Sequence, residues 1–417
     1  MIVMKYLRDL AWRHAPAFSQ AVSTRLPALR AYRLYGWRRR ARPPRVAPIT
    51  IAGFHGAVLG LGEAVRSATL ALRETGVAAR AWDISELMGH ARRLAAGDTD
   101  PPAPGPGVLI AQMNPPELIR LISTTGPATF EGKYVIGCWA WELSEIPALW
   151  KPAFRYVDEV WALSEFTADA IRRAAPRRVK VRVMPIAVPL NDNAPARDRF
   201  GFGDETIVLC AFDFRSTIAR KNPLAALDAF RRAKAHARRP ATLVFKTVGG
   251  DDAPEALRQL RDAIGDAADV TLMTEALSAI ERDQLLASSD ILLSLHRSEG
   301  FGLLPAEAMA AGKAVVATAW SGNLDFMDDA SAVLVPYDLR AVEDSQGIYS
   351  GGLWAEADTE AAGQALAELI DDPERRARLG VEAKAMIQRR LAPSVVAARM
   401  RDALGPAAAS KEASLED

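Results

Sequence analysis

The chain has 417 residues, 49% of them hydrophobic and 25% charged, with a formal net charge of +1 at pH 7. That length and apolar content suffice for two ordinary domains with sizeable cores and exclude a disordered chain, and the balanced charge gives no sign of a nucleic-acid partner. The two cysteines, Cys138 and Cys210, lie in apolar runs without metal-ligand spacing, which excludes a disulfide framework and reads as reduced core residues of a cytosolic protein.

The charge is unevenly spread: residues 1–45 hold eleven Lys/Arg against one acid, Asp9, leaving the remainder at −9. Within this segment Met4, Leu7, Leu10, Ala11 and Trp12 recur at helical spacing, and Tyr32, Tyr35 and Trp37 stand among the later arginines. The pattern resembles an interfacial amphipathic segment, for which contact with an anionic membrane surface is one expectation, each basic residue adding ~1 kcal/mol near it. A solvated basic arm, or a helix packed on the first domain, is the other. No run approaches the ~20 apolar residues of a membrane span, and the start lacks the pattern of a cleavable signal peptide. The expected location is cytoplasmic, and peripheral on the inner face of the plasma membrane if the segment binds there.

From Ile49 a different pattern begins. Ile49–Gly53 reads as a strand, Gly60-Leu61-Gly62 as a loop, Glu63–Glu74 as a helix stopped by Gly76, and Val77–Ile84 as a second strand, a β-loop-α-β unit of a parallel sheet. Residues 96–107, rich in Gly, Pro and Asp, read as an irregular loop, and the Asp98-Thr99-Asp100 within it as nothing more than part of that loop. Further strands are expected at Val108–Ala111, Tyr134–Cys138, Glu159–Leu163 and Val181–Pro185, with helices at Pro116–Ser123 and Glu165–Ala174, the latter capped by Ser164. Val188–Pro195 has linker composition, and a new alternating series opens at Thr206–Ala211. Helices at 223–236, 253–264, 278–287 and 305–311 then alternate with strands at 241–247, 269–273, 290–295 and 313–317. The chain is α/β, and two parallel-sheet domains, 46–190 and 191–385, are expected to face a central cleft at the carboxyl ends of their strands.

The densest chemistry lies in Ser294–Thr318, where Glu299 and Glu307 stand eight residues apart around Gly300-Phe301-Gly302. The strand before them exits into a loop that the glycines let turn sharply and approach a ligand. Pro305 suits the first turn of a helix, where its missing N–H costs nothing, and Gly312 closes the end. Carboxylates accept hydrogen bonds from vicinal hydroxyls, and a helix N-terminus attracts phosphate, so the pocket suits a nucleotide sugar.

The whole string resembles the retaining glycosyltransferases of family 4, whose signature is E-x7-E within a Glu-Gly-Phe-Gly loop and the following helix. Val315–Thr318 as the next strand and Ser321–Phe326 as the turn beyond are similar to a bacterial polysaccharide-assembly branch of that family, and the resemblance runs more thinly over residues 48–400. It implies the GT-B architecture of two Rossmann-like domains, with a closing helix at 386–405 packed back on the first domain; the tail 406–417 reads as disordered.

Roles follow from the resemblance. Glu307 holds the ribose, and Glu299 with the N–H groups of Phe301 and Gly302 the sugar hydroxyls, with Leu303 beside them. Lys221, opening the Lys-Asn-Pro helix entry, resembles the cation clamp on the donor diphosphate. Arg215 stands six positions earlier where the family more usually shows five, so Arg215 or Arg220 completes the clamp. Lys246, at a strand end, is expected near the nucleotide or phosphates, and His296 either holds the sugar or packs. In the first domain Gly60 and Gly62 resemble the glycine-rich loop beside the diphosphate, and His55, Trp141 and Glu142 are the acceptor-side candidates.

The function implied is a retaining, metal-independent transfer of a hexosyl unit, mannosyl first, from a GDP- or UDP-sugar to a saccharide or lipid-linked acceptor in cell-surface polysaccharide or lipopolysaccharide synthesis. No cofactor is expected beyond the nucleotide sugar. The alternatives are a sugar phosphorylase or epimerase on the same fold, and a non-catalytic saccharide-binding scaffold.

Overall fold

The computed structural model describes residue 30 and residues 42–406. Most of the basic segment 1–45, and the tail from residue 407, lie outside the described residues. Two units divide the rest: one runs to Ala187 and takes in the chain again from Pro393, and the other is Val188–Ala392.

The first unit is a six-stranded parallel sheet of β1 (Ile49–Gly53), β2 (Ala79–Asp83), β3 (Gly107–Ala111), β4 (Lys133–Trp139), β5 (Glu159–Ala162) and β6 (Lys180–Val183), in the order β2-β1-β3-β4-β5-β6. Ile49 pairs with Ala79 on one side and Val108 on the other. The near-continuous apolar strands suit a sheet covered on both faces. Over one face pack Val65, Ala71 and Leu72 of the helix Gly60–Glu74 together with Val396, Ala397, Met400, Ala403 and Leu404 of the helix Pro393–Leu404.

Three local differences from the sequence expectations have physical causes. Gly60-Leu61-Gly62 is the first turn of the helix rather than a loop before it. A Cβ on Gly62 would stand 2.5 Å from the Ala57 carbonyl oxygen and 2.8 Å from that of Phe54, so glycine there lets the helix start press against the turn after β1. The loop at 96–107 is ordered along β2: Asp98 accepts from the Asp83 N–H at 2.7 Å and donates to Ala81 at 2.9 Å, which covers an otherwise open sheet edge. The segment 386–405 is two helices, since Pro373–Arg390 ends before Leu391 and Pro393 starts another; proline disfavours helical backbone in the residue before it.

The first unit also anchors the end of the basic segment. Glu159, wholly buried, takes Arg45 at 2.7 Å, Arg182 at 2.6 Å, the Tyr134 hydroxyl at 3.0 Å and the Trp161 indole N–H at 2.9 Å. Arg42 donates to the Asp158 and Arg178 carbonyls. Two of the eleven basic residues are thus spent on this unit's own backbone and core. Among the described residues, no helix is long and apolar enough to cross a membrane.

The second unit repeats the scheme with β7 (Thr206–Asp213), β8 (Ala241–Val248), β9 (Val270–Met273), β10 (Ile291–Ser294), β11 (Ala314–Thr318) and β12 (Val333–Val335), parallel in the order β12-β11-β10-β7-β8-β9. The chain moves outward through β8 and β9, then returns to the other side of β7 with β10, so the strand order reverses between β7 and β10. Helices Pro223–His236, Pro254–Ile264, Ala279–Ser288 and Leu303–Ala310 connect the strands. An antiparallel hairpin, β13 (Tyr337–Ala341) and β14 (Leu353–Ala357), and the helices Thr359–Asp371 and Pro373–Arg390 complete the unit.

Candidate functional site

In open parallel sheets, ligands bind outside the carboxyl ends of the strands where the strand order reverses. In the second unit those ends belong to β7 and β10, and the two loops that leave them carry Arg215, Arg220 and Lys221 on one side and His296 to Gly302 on the other. The backbone joins them: Arg297 donates its N–H to the Arg220 carbonyl at 2.8 Å.

Glu299 is the meeting point. Its Oε1 lies 2.5 Å from Lys221 Nζ and its Oε2 3.1 Å from Arg220 Nη1. The carboxyl is nearly enclosed, with 12% of the side chain exposed, against 21% for Lys221 and 4% for Arg220. Burial by itself would raise the carboxyl pKa, but Lys221 first and Arg220 next hold it well below the usual carboxylate range. Glu299 is therefore ionised at any physiological pH and acts only as an acceptor.

Its loop is braced by the turn after β11. The Glu299 N–H donates to Ser321 Oγ at 2.8 Å, and the Gly322 N–H donates to the Glu299 carbonyl at 2.9 Å. A Cβ on Gly322 would fall 2.4 Å from the Gly300 carbonyl oxygen, so only glycine allows the two loops to touch. Gly302 takes φ +91° before the helix Leu303–Ala310, and Phe301 is buried against Phe326 at 5.1 Å between ring centroids. The helix begins two residues before Pro305, which still lies in the first turn. Leu303 and Glu307 are half-buried, Glu307 in the second turn.

Other candidates separate into those near this centre and those tied elsewhere. Arg220, already wrapped onto the Ser298 carbonyl at 2.8 Å, is the arginine that shares Glu299 with Lys221. Arg215 folds onto Asp213, 2.7 Å away at the end of β7, and half its side chain is exposed. His296 is buried: Ser294 Oγ lies 3.0 Å from Nδ1, and Nε2 faces the Asn323 Oδ1 at 3.1 Å and the Trp320 carbonyl at 3.3 Å. Two acceptors on Nε2 select the neutral tautomer protonated there, and burial lowers its pKa. Lys246 is also buried, with Nζ donating to the Glu275 carbonyl at 2.7 Å and the Thr247 carbonyl at 3.0 Å; burial lowers its pKa.

The first unit's candidates sit at its own strand ends. His55, buried after β1, lies 3.0 Å from the Ile51 carbonyl through Nε2, and burial lowers its pKa. Trp141 is buried against Trp150 at 4.8 Å and donates its indole N–H to the Glu145 carbonyl at 2.6 Å, while Glu142 is half-buried. Gly60 is exposed at the start of its helix and Gly62 buried.

Sequence reasoning missed the residues that fix the cation-bearing turn. Thr217 and Asn222, which bracket Arg220 and Lys221, both have positive φ, 63° and 51°. Asn222 Nδ2 donates to Glu356 Oε1 at 3.1 Å, and Glu356 Oε2 accepts from Arg297 Nε at 2.7 Å. Asparagine tolerates the left-handed region, which is a faint signal, but nothing marks a glutamate 134 residues downstream of it.

Residues 206–372, within the second unit, match the family described as Glycosyl transferases group 1. No curated protein sequence matches the chain. Among solved structures, a glycosyltransferase from Rickettsia africae superposes with a TM-score of 0.62 at 13% identity, over 85% of this chain and 97% of that one. Sucrose-phosphate synthase from Thermosynechococcus elongatus gives 0.61 at 16%, over 85% and 97%. Anabaena HepE, solved in complex with UDP-glucose, gives 0.58 at 15%, over 85% and 98%. At these identities the likeness is one of fold, and the fold is GT-B.

Proposed function

We propose that this protein is a retaining glycosyltransferase that moves a hexosyl unit from a nucleoside diphosphate sugar to a saccharide or lipid-linked acceptor of cell-surface polysaccharide synthesis. The observation that carries the reading is Glu299 held by Lys221 and Arg220, where the loops after β7 and β10 meet. Two cations beside one carboxylate leave a net positive site for a diphosphate, and the carboxylate can still accept from sugar hydroxyls. Glu307 takes the ribose hydroxyls. GDP-mannose is the first donor to try, with UDP-hexoses close behind, a choice supported by the UDP-glucose bound to Anabaena HepE.

In the reaction the bond from the anomeric carbon to the donor phosphate breaks and a bond to the acceptor oxygen forms on the same face. The acceptor's proton passes to the departing phosphate, and Lys221 and Arg220 neutralise the charge that grows on that phosphate. Glu299 is a poor nucleophile, since both its oxygens are engaged by cations. This division of labour calls for no resident cofactor, and the cations do the electrostatic work that a divalent metal does elsewhere.

The test is a panel of nucleotide sugars scored by protection against thermal unfolding, in wild type and Glu307→Ala. A donor at a hundred times its dissociation constant stabilises by ~2.7 kcal/mol. One donor should protect the wild type and fail with the variant; equal protection of both would place the nucleotide elsewhere.

A further inference from the structure

The hairpin β13–β14 and the loop that joins its strands pack against the turn that carries Arg220 and Lys221. Gln346 reaches it twice, accepting from the Ile218 N–H at 2.9 Å and donating to the Phe214 carbonyl at 3.3 Å. The loop presenting Gln346 is stapled by Asp344, whose carboxylate accepts from the backbone N–H groups of Gln346, Ile348 and Tyr349 at 2.8–3.1 Å. Tyr349, buried, lies with its ring 5.7 Å from the Arg220 guanidinium. From β14, Glu356 bridges Asn222 and Arg297, and Arg297 in turn donates to the Ala219 carbonyl at 2.6 Å with its guanidinium 5.5 Å from the Trp354 ring.

The turn needs such support. Thr217, wholly buried, holds φ 63° and ψ 133°, a conformation that is strained for a side-chain-bearing residue and persists only when its surroundings over-determine it. Asn222 holds the left-handed conformation on the other side of the two cations. The contacts from Phe214, Ile218, Ala219, Arg220 and Asn222 to this hairpin and to Arg297 span the whole turn.

We propose that segment 337–357 is a clamp that positions the Arg220–Lys221 cation pair, with Glu356 and Gln346 as positioning residues that act through it. This rests on the proposed role of the pair at the donor diphosphate. A clamp of this kind leaves nucleotide affinity largely in place and contributes to the alignment of charge in the transition state, where a displacement near 1 Å costs on the order of a hundredfold in rate.

Two measurements separate the clamp from the function it serves. Hydrogen exchange of a peptide spanning 214–222 reads the clamp directly: Glu356→Gln and Gln346→Ala should each lose protection there while the strands β7 and β8 keep theirs. Unchanged protection overturns the clamp, whatever the protein's substrate. The second is a double-mutant cycle on kcat with Lys221→Met. Glu356→Gln should lower kcat on the order of tenfold with donor KM within about threefold, and should cost less than about twofold more once Lys221 is already gone, since groups acting through one another are not additive. Protection lost with kcat unchanged, or fully additive losses, would overturn the positioning role. A wild type that turns over no nucleotide sugar would instead defeat the functional reading, and the exchange result would still decide the clamp.

Discussion

Replacing Lys221 by methionine keeps most of the side-chain volume and removes one charge from the centre of the site. In the native protein Glu299 has cations at 2.5 and 3.1 Å, and the variant leaves a nearly enclosed carboxylate on Arg220 alone. Breaking a buried pair typically costs 3–5 kcal/mol. With Arg220 retained and a fifth of Lys221 exposed, we expect about 2 kcal/mol, or roughly 4–8 °C in the melting temperature of a unit of this size. The loss has a pH signature. Because the folded-state pKa of Glu299 is depressed, its stabilisation is present above the ordinary carboxylate pKa and disappears as pH falls through that range and below it. The unfolded chain titrates alike in both proteins, so the gap between wild type and Lys221→Met should be full at pH 7 and shrink only once the pH falls well below the ordinary carboxylate range, where the folded-state carboxyls take up protons. Urea unfolding followed from pH 7 down to ~2 measures it, and nucleoside diphosphate release measures the catalytic effect, expected on the order of 10²–10³ in kcat. A pH-independent gap would refute the electrostatic account of Glu299. A variant that loses stability as stated and keeps wild-type kcat would reduce Lys221 to a structural partner.

Two further outcomes follow from other parts of the molecule. Gly322→Ala should lower stability by about 1–3 kcal/mol and weaken donor protection, because its Cβ meets the Gly300 carbonyl; a variant with wild-type melting and wild-type donor response would show that the two loops do not need their contact. Glu117 keeps partial exposure as a residue, but its Oε2 is enclosed without a hydrogen-bond partner among the described residues; burial raises its pKa to about 7, against the opposing pull of its own backbone N–H and Arg120. The folded state then holds a proton that the unfolded chain releases near pH 4.5, so stability falls as pH rises between 4.5 and 7, by at most about 3 kcal/mol. Glu117→Gln should match wild type at pH 4 and exceed it at pH 8 in urea unfolding, and no gain at pH 8 would contradict the assignment.

Both sheets were largely legible in the sequence because parallel strands buried on two faces are written as uninterrupted apolar runs, such as Ile49–Gly53 and Ile291–Ser294. Glu299, Lys221 and the glycines around Phe301 were legible because they stand in short local motifs. Residues 326–385 carried no such signal: Tyr337–Ala341 and the start of β14 are half-buried or exposed and mix charge with apolar side chains. The hairpin's contribution, from Gln346, Tyr349 and Glu356, consists of contacts made across more than a hundred residues of chain, which no local pattern encodes. The choice between Arg215 and Arg220 on Glu299 likewise turned on tertiary structure, since Asp213 lies close enough to take Arg215 and the Ser298 carbonyl fixes Arg220.

The most direct test of the central claim is nucleoside diphosphate release from a panel of GDP- and UDP-hexoses, followed by mass spectrometry with a crude saccharide or lipid-linked acceptor fraction present and absent. The account expects release from one donor, increased by acceptor, and reduced at least a hundredfold by Lys221→Met and strongly by Glu307→Ala. Binding of a nucleotide sugar with no release from any donor, in wild type and both variants alike, would contradict it and leave a saccharide-binding scaffold on this fold.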